Sequence, residues 1–108
     1  MYVVEIDTKK IFDWQTLHHV FTEAFRFTDR YGRKMDHWIE GLSSLDEETD
    51  LSTLRLHRGE PLEVDLLEAE SFLRRLPELL SVLVDGAAFV NARRLRAGKK
   101  PVLHLVFR

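Results

Sequence analysis

Residues 31–45, YGRKMDHWIEGLSSL, decide how the rest of the chain is read. After Gly32, the apolar residues Met35, Trp38, Ile39 and Leu42 recur at the spacings of an amphipathic helix. Asp36 and Glu40 stand one helical turn apart, so a helix puts both carboxylates on one face. Neither belongs to the apolar stripe, and the pattern predicts a helix anchored along one side and acidic along the other. Acids so placed can bind a basic partner, ligate a metal or simply solvate a surface helix. The flanking elements have to decide between these.

Upstream, Tyr2–Ile6 is a β-branched run closed by Asp7 and reads as a strand. Its consecutive Val3 and Val4 predict cover on both faces, as in a parallel sheet. Asp13 is the expected N-cap of a helix from Trp14 to about Phe25 with its stripe on Trp14, Leu17, Val20 or Phe21, and Ala24 or Phe25. The adjacent His18 and His19 point about 100° apart on that helix and cannot share a metal unaided.

Downstream, DEETD (46–50) is expected to be a solvated acidic link. Leu54 and Leu56 alternate with Arg55 and His57, RGEP (58–61) has turn composition, and Leu62, Val64 and Leu66 alternate with charged residues. This predicts a β-hairpin over 54–66 whose second strand is the better candidate for the sheet interior. A helix over Glu68–Arg75 follows, and Pro77 restarts the chain at a first-turn position. Leu76, Leu79, Leu80, Leu83, Ala87 and Val90 continue a helical stripe, with Gly86 as a weak point and Gly98 as the stop. Residues 89–96 fit either more helix or an extended segment. Val102–Phe107 is expected to close the fold as a buried strand, with His104 packed or at an edge. Strands separated by helical crossovers imply a small parallel sheet covered by helices, an α/β fold.

At 108 residues, the chain has room for one core, and a single domain over 1–108 is expected. Apolar residues are 44% and charged residues 31%, which fits a soluble globular protein and excludes a disordered chain. No cysteine is present, so disulfides, thiolate chemistry and Cys-ligated zinc are excluded. Glu5 and Asp7 interrupt the N-terminal apolar run before it reaches leader length, and no run approaches the roughly 18 residues of a membrane span. A cytoplasmic address without membrane contact is therefore expected.

The net charge of −2 is unevenly spread, with seven acids and three bases between Asp29 and Asp50, and six bases and no acid from Asn91 to Arg108. Such a molecule has an acidic end and a basic end. A metal enzyme built on Asp36, His37 and Glu40 is disfavoured, since Asp36 and His37 diverge and neither a metal signature nor a phosphate loop nor a nucleophile elbow occurs. The reading is of a non-enzyme without cofactor. Nucleic-acid binding through Arg93–Lys100 is opposed by the acidic remainder.

The order of elements and the stretch Tyr31-Gly32-Arg33-Lys34-Met35-Asp36-His37-Trp38-Ile39-Glu40 resemble the barstar family of ribonuclease inhibitors, whose second helix begins Tyr-Gly-x-Asn-x-Asp-Ala-x-x-Asp. The resemblance spans nearly the whole chain. It implies an α/β fold with a small, mainly parallel three-stranded sheet packed by about four helices, here with an added hairpin strand at 54–66. It also implies an intracellular immunity protein, monomeric when free, that blocks a basic ribonuclease or related nuclease toxin by placing its second helix in the active site. The contact residues expected from the resemblance are Tyr31, Gly32, Asp36, Ile39, Glu40 and Ser43, with Asp46 and Glu47 on an acidic rim. Glu40 stands where the family usually has Asp, Lys34 where it has Asn, Ile39 where it has a contacting Trp, and Arg93 near a further acidic contact. These departures keep open a second reading, a protein-interaction module of the same fold that does not inhibit a nuclease.

Overall fold

The computed structural model describes residues 1–108. Strand β1 (Tyr2–Asp7) runs into a single 3-10 turn, Thr8–Lys10, and then into α1 (Trp14–Phe25). Asp13 starts α1 as the sequence predicts: its carboxylate accepts from the Thr16 N–H at 2.9 Å, and the Thr16 hydroxyl oxygen accepts from the Asp13 N–H at 3.0 Å. That reciprocal pair satisfies two backbone donors left free by the first turn. Helix α2 (Met35–Ser43), strand β2 (Leu62–Leu67), helices α3 (Ala69–Arg75) and α4 (Pro77–Arg96), and strand β3 (Leu103–Phe107) complete the chain. The three strands form one parallel sheet in the order β1-β2-β3, with Val4, Val64 and Leu105 in register.

Period two along each strand sorts the side chains onto two faces. Val4, Ile6, Leu62, Val64, Leu66 and Leu103 enter the core, which α1 fills with Leu17, Phe21 and Phe25, α2 with Trp38 and Leu42, and α4 with Leu83 and Val90. The opposite face is exposed toward its outer strands, although Asp65 on central β2 is buried there. Val3 is 49% exposed, and Glu5 and His104 are exposed beside it. The cover expected on both faces of β1 is therefore absent, and β3 is a partly exposed edge rather than a buried strand. One helical layer protects the sheet, and polar residues on the other face replace the second.

The hairpin expected over 54–66 is also corrected, since only Leu62–Leu67 is a strand. Central β2 already has β1 and β3 on its two sides, so Leu54–Leu56 has no free ladder on that strand. It is instead a loop anchored to the core: Leu54 is buried, the Leu56 N–H donates to Leu45 O at 2.9 Å, and Ser52 bridges Phe27. The turn itself is real, with the Glu60 N–H donating to His57 O at 2.9 Å and Gly59 at φ +71°.

Helix α4 runs through 89–96 without a break, which settles the alternative left open there. Asn91 binds it to β3, accepting from the N–H groups of Val102 and Leu103 and donating to Leu103 O. Gly86 marks a close helix crossing. A Cβ at this position would stand 2.8 Å from Trp38 Cζ3 and 3.0 Å from Met35 Cε, so glycine lets α4 lie directly against α2.

Candidate functional site

The approach to α2 is built from backbone hydrogen bonds and stacked rings. Arg26 ends α1 in the left-handed region, and the Thr28 N–H donates to Leu51 O at 2.8 Å. The Tyr31 ring stacks on Phe27 at 4.3 Å between centroids, and its hydroxyl is hydrogen-bonded to His18 Nδ1 inside the protein. Burial, and secondarily the Arg33 charge, lower the His18 pKa; burial likewise raises the Tyr31 phenol well above its ordinary range, against a smaller opposing effect of Arg33. The Gly32 N–H donates to His37 Nδ1 at 2.7 Å, so the second residue of the motif is held by a side chain from the helix it precedes. Arg33 then takes a left-handed conformation at φ 54°.

The local sequence explains why α2 sits as it does. Trp38 and Leu42 are buried, and Trp38 meets Phe21 edge-on at 5.6 Å between centroids. Gly41 is buried where a Cβ would come within 2.9 Å of Phe27 Cε1. With that stripe turned inward, Asp36 and Glu40 face solvent, and neither takes part in an ion pair of the chain. Asp36 also lies in the first turn, where a negative charge complements the helix dipole. Met35 and Ile39 are half-buried beside the acids.

Other residues of the expected contact set occupy different positions. Tyr31 is 5% exposed and belongs to the core, so it supports the loop from below instead of standing on the surface as an anchor. Ser43 is buried, and its hydroxyl donates to Ile39 O within the helix. Asp46 lies under the surface, held by Arg94 through Oδ1 at 2.8 Å and Oδ2 at 3.1 Å and by the Gly59 N–H at 2.9 Å. Burial alone would raise its carboxyl, but the Arg94 and Gly59 hydrogen bonds outweigh it and hold the group below the usual carboxylate range. Glu47 pairs with Lys99. The rim predicted at Asp46 and Glu47 is thus neutralised internally by the basic end of the chain. Gly32, Asp36, Ile39 and Glu40 remain on or near the surface, as does the paired Glu47.

Sequence reasoning missed two features. Arg94 continues the buried stripe of Leu83, Ala87 and Val90 at helical spacing, and a cation at such a position signals an internal counter-charge. Asp85 and Phe89 lie on the α4 face that the Gly86 crossing brings against α2; they line one groove with Met35, Asp36 and Ile39. No trio of His, Asp and Glu side chains is placed to share a metal ion, and no helix is long and apolar enough to cross a membrane.

A family model described as Barstar (barnase inhibitor) matches residues 1–106 of this chain. No curated protein matches it.

Proposed function

Because the chain belongs to the barstar family, we propose that it is an intracellular immunity protein that binds a basic ribonuclease or related nuclease toxin and blocks its active site with α2. The observation that carries this reading is the pair Asp36 and Glu40, both exposed and free of internal cations on a helix whose other side is fixed by Trp38 and Leu42. A carboxylate entering a phosphate-binding site accepts the charge-assisted hydrogen bonds meant for the substrate. Inhibition of that kind needs occupancy and no chemistry, so the protein has no catalytic role in it. Half-buried Ile39 supplies the apolar contact between the acids, and the Gly32 turn fixed by His37 sets the angle at which the helix is offered.

Co-expression with a panel of basic nuclease toxins tests the proposal. Protection of the host cell is expected from the native chain and not from the Asp36→Ala, Glu40→Ala double variant. Full protection by that variant, or none by the native chain, would overturn it.

The interaction-module reading is favoured by different observations. Asp46 and Glu47 are already paired, and Arg33 and Lys34 stand exposed beside the acids, so the surface around α2 is less negative than its composition suggests. Recovery of a non-nuclease partner whose binding is lost on the same substitutions would favour it.

A further inference from the structure

The sheet face turned away from the core carries a polar cluster with one donor too few. Register sets Glu5, Asp65 and Val106 in one row across the three strands and Val3, Glu63 and His104 in the next. Asp65 is central and 6% exposed, and its Oδ1 is buried without a hydrogen-bond donor in the chain. Glu63 is half-buried two residues away on the same strand, and so on the same face. A single guanidinium serves both acids: Arg108 Nε lies 3.4 Å from Asp65 Oδ2, and its Nη2 lies 3.5 Å from Glu63 Oε2. Both distances exceed the roughly 2.7–2.9 Å of a strong charge-assisted bond. No other group on this face supplies the missing charge, since Glu5 and Asp7 on β1 are acids and His104 on β3 is exposed outside any ion pair.

We infer that Glu63 and Asp65 share one proton, the Glu63 carboxyl donating to Asp65 Oδ1, and that this face is a proton-binding element which weakens the fold when it empties. A buried acceptor without a donor is costly, and Oδ1 is closed to any external cation that would have to reach it from solvent. A proton carried by the neighbouring carboxyl needs no such entry. With it, Asp65, Glu63 and Arg108 together are neutral, whereas without it two carboxylates crowd one guanidinium. The Glu63 carboxyl is accordingly raised above its ordinary 4.5, first by the hydrogen bond to Asp65, then by desolvation and the Asp65 charge, against a smaller opposing effect of Arg108. The folded chain therefore holds this proton to higher pH than the unfolded chain does. The stabilisation is complete below 4.5 and is lost as pH rises through the folded value. Asp46 acts in the opposite sense, because its carboxyl is lowered on folding.

The experiment follows the side-chain carboxyl carbons of the full chain, labelled with carbon-13, as a function of pH. Glu63 is expected to titrate above 4.5, to move down toward that value in Asp65→Asn, and to move further up in Arg108→Gln, which removes the guanidinium. Urea unfolding gives a second readout that does not depend on the Asp65 variant folding. Glu63→Gln places an amide N–H where the shared proton would be and keeps it at every pH. Above the Glu63 midpoint this variant is expected to unfold at higher urea than the native chain, and the difference should close as pH is lowered toward 4.5. A Glu63 carboxyl that titrates at or below 4.5, a midpoint that Asp65→Asn leaves in place, or a Glu63→Gln variant no more stable than the native chain above that midpoint would each overturn the inference.

Discussion

Replacing Arg94 by methionine removes the one cation that holds the α2–β2 loop to α4. Its guanidinium donates to both Asp46 oxygens at 2.8 and 3.1 Å, to Ser43 O at 3.1 Å and to Lys100 O at 3.0 Å. The side chains of Arg94 and Asp46 are 3% and 7% exposed, so water cannot replace these bonds without opening the structure. Methionine fills much of the volume but leaves a buried carboxylate with only the Gly59 N–H. Breaking one side of a buried pair costs about 3–5 kcal/mol, against a total of about 5–15 kcal/mol for a domain. Urea unfolding followed by circular dichroism should therefore show a lower midpoint at unchanged slope, and the melting temperature should fall by about 12–25 °C.

Two controls separate the uncompensated charge from simple packing loss. Adding Asp46→Leu to Arg94→Met should recover half or more of the deficit, since the orphaned carboxylate is then gone. In the native chain the Asp46 pKa lies below its ordinary 3.8, so its contribution is complete above that pH and is lost as pH falls through the folded value. The variant lacks this stabilisation, and its deficit should narrow on acidification. A loss below about 1 kcal/mol, or a double variant no better than the single one, would refute the reasoning.

Three further outcomes are expected. The folded-state pKa of His18 lies below its ordinary 6.5, so the unfolded chain takes up the proton first; stability is complete above that pH and falls as pH drops from 6.5 toward the folded value. Melts between about pH 7.5 and about pH 5.5 should show that slope and a flatter one in His18→Gln. For Gly86→Ala, the gain of about 1 kcal/mol in helix propensity opposes about 1–3 kcal/mol of overpacking against Trp38 and Met35, so a net loss of about 1 kcal/mol is expected on chemical unfolding and a stabilised variant would contradict the close crossing. Asp13→Ala should cost about 1 kcal/mol by the same measurement, through loss of the α1 cap.

The features legible in the sequence are those that local chemistry decides. The Asp13 cap, the Pro77 restart and most of the α1 and α2 stripes each lie within a few residues, and α1 and α4 begin where those residues put them, although Trp14 of the expected α1 stripe is exposed. The acid pair was legible for the same reason, because spacing alone sets Asp36 and Glu40 on one face. What escaped depends on distant partners. Alternation at Leu54–Leu56 is shared by strands and buried loops, and only the occupancy of both β2 edges decides against a strand. Tyr31 looks like a surface anchor until Phe27 and His18 are seen to enclose it. Asp46 and Arg94 are 48 positions apart, so the acidic loop and the basic helix end each look free when read separately. Asp85 acquires meaning only from the approach of two helices at Gly86.

The central claim is that negative charge on α2 occupies a foreign phosphate-binding site, and the inhibition constant of the purified chain against a basic ribonuclease tests it most directly. Asp36→Asn and Glu40→Gln keep size and remove charge, and each is expected to weaken inhibition by at least about thirtyfold, the equivalent of a hot-spot contact of about 2 kcal/mol. An inhibition constant unchanged in both variants would contradict the account.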